Sequence, residues 1–125
     1  MSKILGIDYG QRKVGLALAD LETKTAVPLE VVRADGLGLR LKALIVLEEI
    51  NIIVVGLPIG MDGQETEQTR EVRKFIENLK SNIDVEVVAE DERLTSVQAG
   101  KVGKDDAVAA MYILQSYIDR NFNHG

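Results

Sequence analysis

Cysteine and tryptophan are absent from this chain, and histidine occurs once, as His124. Without cysteine there are no disulfides and no thiolate metal site, which suits a reducing compartment. A single histidine is too few for a zinc centre of the usual nitrogen and sulfur ligands. Any catalytic metal must then be held by oxygen, which favours magnesium or manganese. No apolar run approaches the ~18 residues that a membrane helix needs, and the first residues lack the basic start and apolar core of a signal peptide. The expectation is a cytoplasmic protein with no membrane partner. Positive charge is also in deficit: 15 Lys and Arg against 20 Asp and Glu give a net charge of −5. That disfavours indiscriminate tracking along a nucleic-acid backbone and leaves room for local basic patches.

What is present suits a compact fold. Hydrophobic residues make up 46% and charged residues 28% of the 125 positions, enough to bury one core and too few for two. Residues 1–125 are therefore expected to form a single domain. The chain opens with an apolar run (Ile4, Leu5, Ile7) that climbs to Asp8, a turn at Gly10-Gln11-Arg12-Lys13, and a second apolar run from Val14 to Ala19. This predicts a β-hairpin carrying a lone acid. Residues 23–32, rich in β-branched side chains, read as a third antiparallel strand, and Pro28 places it at a sheet edge or a bulge.

Helical spacing over 39–50 gives a first helix ending at Asn51, and the β-branched run 52–56 reads as a central parallel strand. Residues 58–63 are rich in turn formers and precede an amphipathic helix over 65–80, whose outer face alternates Arg70, Arg73 and Lys74 with Glu67, Glu71 and Glu77. That alternation reads as a solvated, ion-paired face. A strand over 84–89, a short helical piece over 96–104 and a last helix over 105–120 complete the order. The fold class is α/β, a mixed five-stranded sheet of three antiparallel then two parallel strands flanked by helices.

Three acids stand at the ends of separate elements: Asp8 on the first strand, Glu92 after the last strand, and Asp106 at the start of the last helix. Asp8, among apolar residues and glycine, needs a partner most, since an isolated carboxylate near a buried sheet is costly. Steps of three or four from Asp106 lead to Ala110, Ile113 and Tyr117, so it faces the sheet and Asp105 does not. Taken singly, Asp105 and Asp106 also suit helix capping, and Glu90-Asp91-Glu92 a solvated strand end. Taken together, Asp8, Glu92 and Asp106 make an all-oxygen set able to hold two divalent ions for phosphodiester hydrolysis. Arg12, Lys13, Arg93, Lys101 and Lys104 are the candidate phosphate contacts. Gly6, Gly10 and Gly15 serve either close approach of a phosphate or turns and packing.

Four spaced segments, GIDYGQRKVGLALAD, VVGLPIGMDG, DERLTSVQA and DDAVAAMYILQSYID, cover nearly the whole chain in order. On them the chain resembles the YqgF family, described both as Holliday-junction resolvases and as pre-16S rRNA nucleases. The resemblance implies an RNase H-like fold and a magnesium- or manganese-dependent nuclease, with Asp8, Glu92 and Asp106 as the acidic residues. Its implied partner is structured RNA, pre-16S rRNA in particular, or alternatively branched DNA, with the protein a monomer or a homodimer. One departure stands out: the family has a longer basic segment before the last helix, where this chain has only Gly100-Lys101-Val102-Gly103-Lys104. That shortening raises a second class of function, a non-catalytic RNase H-like module that binds nucleic acid or a partner. The GIDYG turn is also similar to the phosphate-binding turn of sugar kinases, actin and Hsp70, but those proteins close a cleft between two such domains and this chain is long enough for one.

Overall fold

The computed structural model describes residues 2–94 and 106–122. Its five strands form one sheet in the order β3-β2-β1-β4-β5. The hairpin β1 (Lys3–Asp8) and β2 (Lys13–Asp20) pairs antiparallel, with Asp8 opposite Gly15. Strand β3 (Thr25–Arg33) adds an antiparallel edge. Its register slips where Leu16 faces Glu30 and Ala17 faces Pro28, so Leu29 is the extra residue of a bulge. Proline, with no N–H for the ladder, sits where that loss is tolerated. Strands β4 (Ile50–Leu57) and β5 (Glu86–Asp91) continue in parallel beyond β1.

Helices cover both faces because the strand residues alternate. Leu5, Ile7, Val14, Leu16, Ile53 and Val55 pack under α1 (Leu37–Leu47) and α2 (Glu67–Asn82). On the opposite face Ile4, Ala17, Ala19 and Val54 pack under α3 (Asp106–Asn121), through Ala110, Ile113, Leu114 and Ile118. Ala17, Ala19 and Ala110 in this layer, with Gly6 and Gly15 of the strands, let α3 lie close to the sheet. Asp8, at the same parity as Ile4 and Gly6, ends β1 on the α3 face.

The element order matches the sequence reading, and the boundaries differ where local geometry overrides periodicity. Helix α1 begins two residues earlier than the spacing suggested because buried Leu37 anchors its first turn. It ends at Leu47, since Glu49 takes a left-handed conformation (φ 54°) that turns the chain into β4 at buried Ile50. Asn51 is thus already in the strand. The helical piece over 96–104, Asp105 and His124 lie outside the described residues. Among the described residues no helix is long and apolar enough to cross a membrane.

The start of α2 is fixed by a reciprocal cap. Thr66 Oγ1 accepts from the Thr69 N–H at 3.2 Å, and Thr69 Oγ1 accepts from the Thr66 N–H at 2.9 Å. The fully buried Thr69 hydroxyl also donates to the Pro58 carbonyl, tying the helix to the chain leaving β4. Thr69→Val keeps the shape and strands the Pro58 carbonyl and the Thr66 N–H. It should cost about 1–3 kcal/mol of stability, read as a lower midpoint in urea at an unchanged slope.

Candidate active site

The strand ends of β1 and β5 and the first turn of α3 meet at one rim of the sheet, and two glycines set how closely they meet. A Cβ on Gly15 of β2 would stand 1.9 Å from the Asp106 carbonyl oxygen, so the backbone of α3 begins directly against the strand opposite Asp8. A Cβ on Gly56 of β4 would stand 3.0 Å from Glu92 Oε2 and 2.4 Å from Ile113 Cδ1. Glu92, in the short 3-10 turn Glu92–Leu94 that follows β5, therefore folds its side chain back over β4 beneath α3. Gly6 serves the same layer, with its missing Cβ 2.8 Å from Leu114 Cβ. Of the glycines weighed for phosphate approach, Gly6 and Gly15 pack the helix.

The electrostatics follow from this crowding. Burial, then the charges of Glu92 and Asp106, push the Asp8 carboxyl up from its ordinary 3.8 to about 7. Burial, then the neighbouring Asp91 charge, also raises Glu92. No donor among the described residues bonds the Asp8 side chain. Among those residues no group of three or more acidic or histidine side chains is set so as to hold a metal ion as it stands. The donor chemistry nevertheless fits a hard divalent cation. All three groups are carboxylates, and among the described residues no cation pairs with Asp8.

The candidate phosphate contacts separate into three kinds. Arg12 and Lys13 stand exposed in the β1–β2 turn and make no side-chain bond within the described residues. Arg93 grips Asp91 instead, with Nη2–Oδ2 at 2.7 Å and Nε–Oδ2 at 3.0 Å, and this holds Asp91 below the usual carboxylate range. Lys101 and Lys104 lie outside the described residues. Beside the hairpin turn a cavity of about 500 Å³ is lined by Tyr9, Gly10, Gln11, Arg12, Glu67 and Gln68, among others. Tyr9 stacks on Phe75 with ring centroids 4.1 Å apart, so one face of its ring is already covered. Along α2, Arg73 pairs with Glu65 at 2.6 Å and Lys80 approaches Glu77 at 3.9 Å, consistent with a solvated, ion-paired face.

Sequence reasoning missed Glu90. It was grouped with a solvated strand end, yet its side chain is fully buried. Its carboxylate accepts from Ser116 Oγ at 2.9 Å and from both Nε and Nη2 of Arg120. The available signals were the parity of Glu90 with Val88 on β5 and the i, i+4 spacing of Ser116 and Arg120 on α3.

Solved structures share this RNase H-like fold. Thermus thermophilus RuvC with a Holliday junction substrate aligns at a TM-score of 0.62 and 15% identity, covering 96% of this chain and 95% of RuvC. The Fowlpox virus resolvase with its junction DNA aligns at 0.56 and 14%, covering 96% and 99%. The chain belongs to the RuvX family, described as Holliday junction resolvase, which matches residues 2–120. Relatives in Endomicrobium trichonymphae and Sulfurihydrogenibium sp. (strain YO3AOP1) are each 40% identical, over 137 and 133 aligned residues. These alignments cover 95% and 96% of this chain and 96% and 92% of the relatives, both named "Putative pre-16S rRNA nuclease". Both alignments run longer than the 125 residues of this chain, so each includes positions where the relative has a residue and this chain has none. The segment 100–104, singled out above as short, lies outside the described residues.

Proposed function

We propose that this chain is a divalent-cation-dependent phosphodiesterase that trims structured RNA in the cytoplasm, at the 5′ end of pre-16S rRNA, with Asp8, Glu92 and Asp106 as its acidic site. The observation that carries this reading is that Asp8 at the end of β1, Glu92 in the turn after β5 and Asp106 at the start of α3 meet at one rim of the sheet, where burial and the other two acids raise the Asp8 carboxyl. Such a grouping opposes folding unless it serves a purpose, and one or two magnesium or manganese ions are the natural counter-charge. When bound, such ions activate the attacking water and neutralise charge on the leaving oxygen. The chain's own residues would supply the rest: Asp8, Glu92 and Asp106 would hold the ions, and Arg12 and Lys13 would steer the phosphodiester from the hairpin turn. The names of the relatives support RNA as substrate.

The family description supports a second substrate, the DNA four-way junction. Purified protein is incubated with a pre-16S rRNA fragment and with a synthetic junction, in magnesium, in manganese and in EDTA. Metal-dependent cleavage of the RNA supports the first reading. Cleavage of the junction alone, by a protein that sediments as a dimer with two active sites, replaces it with the second. Absence of both cleavages, with no metal binding by calorimetry, would leave the non-catalytic module.

A further inference from the structure

Two polar anchors, at consecutive residues, tie the middle of α3 to opposite edges of the sheet. On the β3 side, Gln115 Oε1 accepts from the Ala26 N–H at 2.8 Å while its Nε2 donates to the Lys24 carbonyl at 3.1 Å. On the β5 side, Ser116 and Arg120 bind the buried Glu90 carboxylate. The buried side chains of this layer among the described residues are otherwise apolar, and their contacts are non-directional. Gln115 fixes the helix directionally at one point; a second directional anchor at the far edge adds resistance to rotation about it.

We propose that Glu90, Ser116 and Arg120 are positioning residues that fix the angle of α3 on the sheet and so hold Asp106 in place against Asp8 and Glu92. Glu90 lies two residues before Glu92 on the strand that delivers it, and Ser116 lies on the helix that begins with Asp106. The clamp therefore joins the two elements that bring acids to Asp8. The lever is long: at 1.5 Å per residue Asp106 stands about 14 Å along the helix from Gln115. A pivot of about 5° moves it by about 1 Å, a displacement able to lower a rate ~100-fold. A buried ion pair is a poor device for stability alone, since an apolar replacement of similar shape is commonly as stable, and its directional geometry is what such a replacement lacks.

The proposal rests on the three-acid reading, and its test uses a variant that removes the clamp without leaving a buried charge: Glu90→Leu, Ser116→Ala and Arg120→Met together. The expected result is a folded protein with a thermal midpoint near that of wild type. Its kcat falls about 10- to 100-fold at unchanged KM, its magnesium affinity by calorimetry falls about tenfold, and amide exchange at Ala110 to Ile113 is faster. Wild-type kcat, magnesium affinity and exchange in the folded triple variant overturn it. Should that variant not fold, Arg120→Lys keeps the charge and loses the two-pronged grip. A several-fold drop in kcat at unchanged KM then supports the clamp and wild-type kcat overturns it. If wild type neither cuts nor binds metal, the three-acid reading fails on its own, and the exchange rates still decide whether the clamp sets the helix.

Discussion

Asp8→Asn should give a protein that no longer cleaves nucleic acid and yet, in metal-free buffer at pH 8, unfolds at a higher temperature than wild type. Both effects follow from one geometry. Asp8 is raised from 3.8 to about 7 because burial and the charges of Glu92 and Asp106 oppose its ionisation. The folded state therefore holds a proton more tightly than the unfolded chain does, and above pH 7 wild type must fold with an unfavourable charge. Asparagine has nearly the same shape and no charge, so the substitution should stabilise by about 1–3 kcal/mol, allowing for relaxation and partial solvation at the sheet rim.

The pH dependence carries the sign. Wild-type stability should rise as pH falls from about 7 towards 4, because in that window the folded state binds more protons than the unfolded one. The advantage of Asp8→Asn should shrink over the same interval and vanish only below the ordinary value of 3.8, where Asp8 is protonated in both states. Magnesium should reverse the ranking by raising the midpoint of wild type and leaving the variant where it was. Loss of one carboxylate of the site should lower cleavage by about a thousandfold, the equivalent of several kcal/mol of transition-state charge stabilisation. Thermal melts at four pH values, with and without magnesium, check the stability claim. A variant less stable than wild type at pH 8 would show that Asp8 is held by a favourable contact and not by like charges.

Much of this was legible in the sequence because it rests on short-range periodicity. Ile4, Leu5 and Ile7 before a lone Asp8 announce a strand with an acid at its end, and the run 52–56 announces a buried parallel strand. Pro28 marked the edge strand and its bulge because a missing N–H is a local property. Position on the helix also favoured Asp106, although the buried face of α3 is centred on Ala110 and Leu114, which leaves Asp106 at its margin. What was not legible depends on distant partners. Glu90 and Arg120 lie 30 residues apart, and only the packing of α3 across β5 turns an apparently solvated acid into a buried one. The pairing of Arg93 with Asp91 likewise depends on how the turn after β5 folds, which periodicity does not show. The glycines were ambiguous for the same reason: a missing side chain shows that something is close and not what it is.

Gly15→Ala tests that last point and should be among the most damaging single-methyl changes in the chain. The added carbon would stand 1.9 Å from the Asp106 carbonyl oxygen, 2.2 Å from its carbonyl carbon and 2.8 Å from the Ala107 nitrogen. These are backbone atoms in the first turn of a helix, so no rotamer change relieves the overlap and either α3 or β2 must shift. Overpacking of this kind costs about 1–3 kcal/mol, occasionally more. At this chain length that is a fall of roughly 5–10 °C in the thermal midpoint. The shift falls on Asp106 itself, so cleavage should drop about 100-fold beyond what lost stability accounts for, when assayed well below the new midpoint. Gly6→Ala meets Leu114 Cβ at 2.8 Å, a side-chain atom further down the helix, and should cost stability with a smaller loss of rate. Gly36→Ala, where nothing lies within 4 Å, should be neutral or slightly stabilising, because alanine has fewer unfolded conformations to lose. A Gly15→Ala protein with a lowered midpoint and an undiminished rate would separate the contact from the chemistry. Asp106 would then act from a position that tolerates movement, or would not act at all.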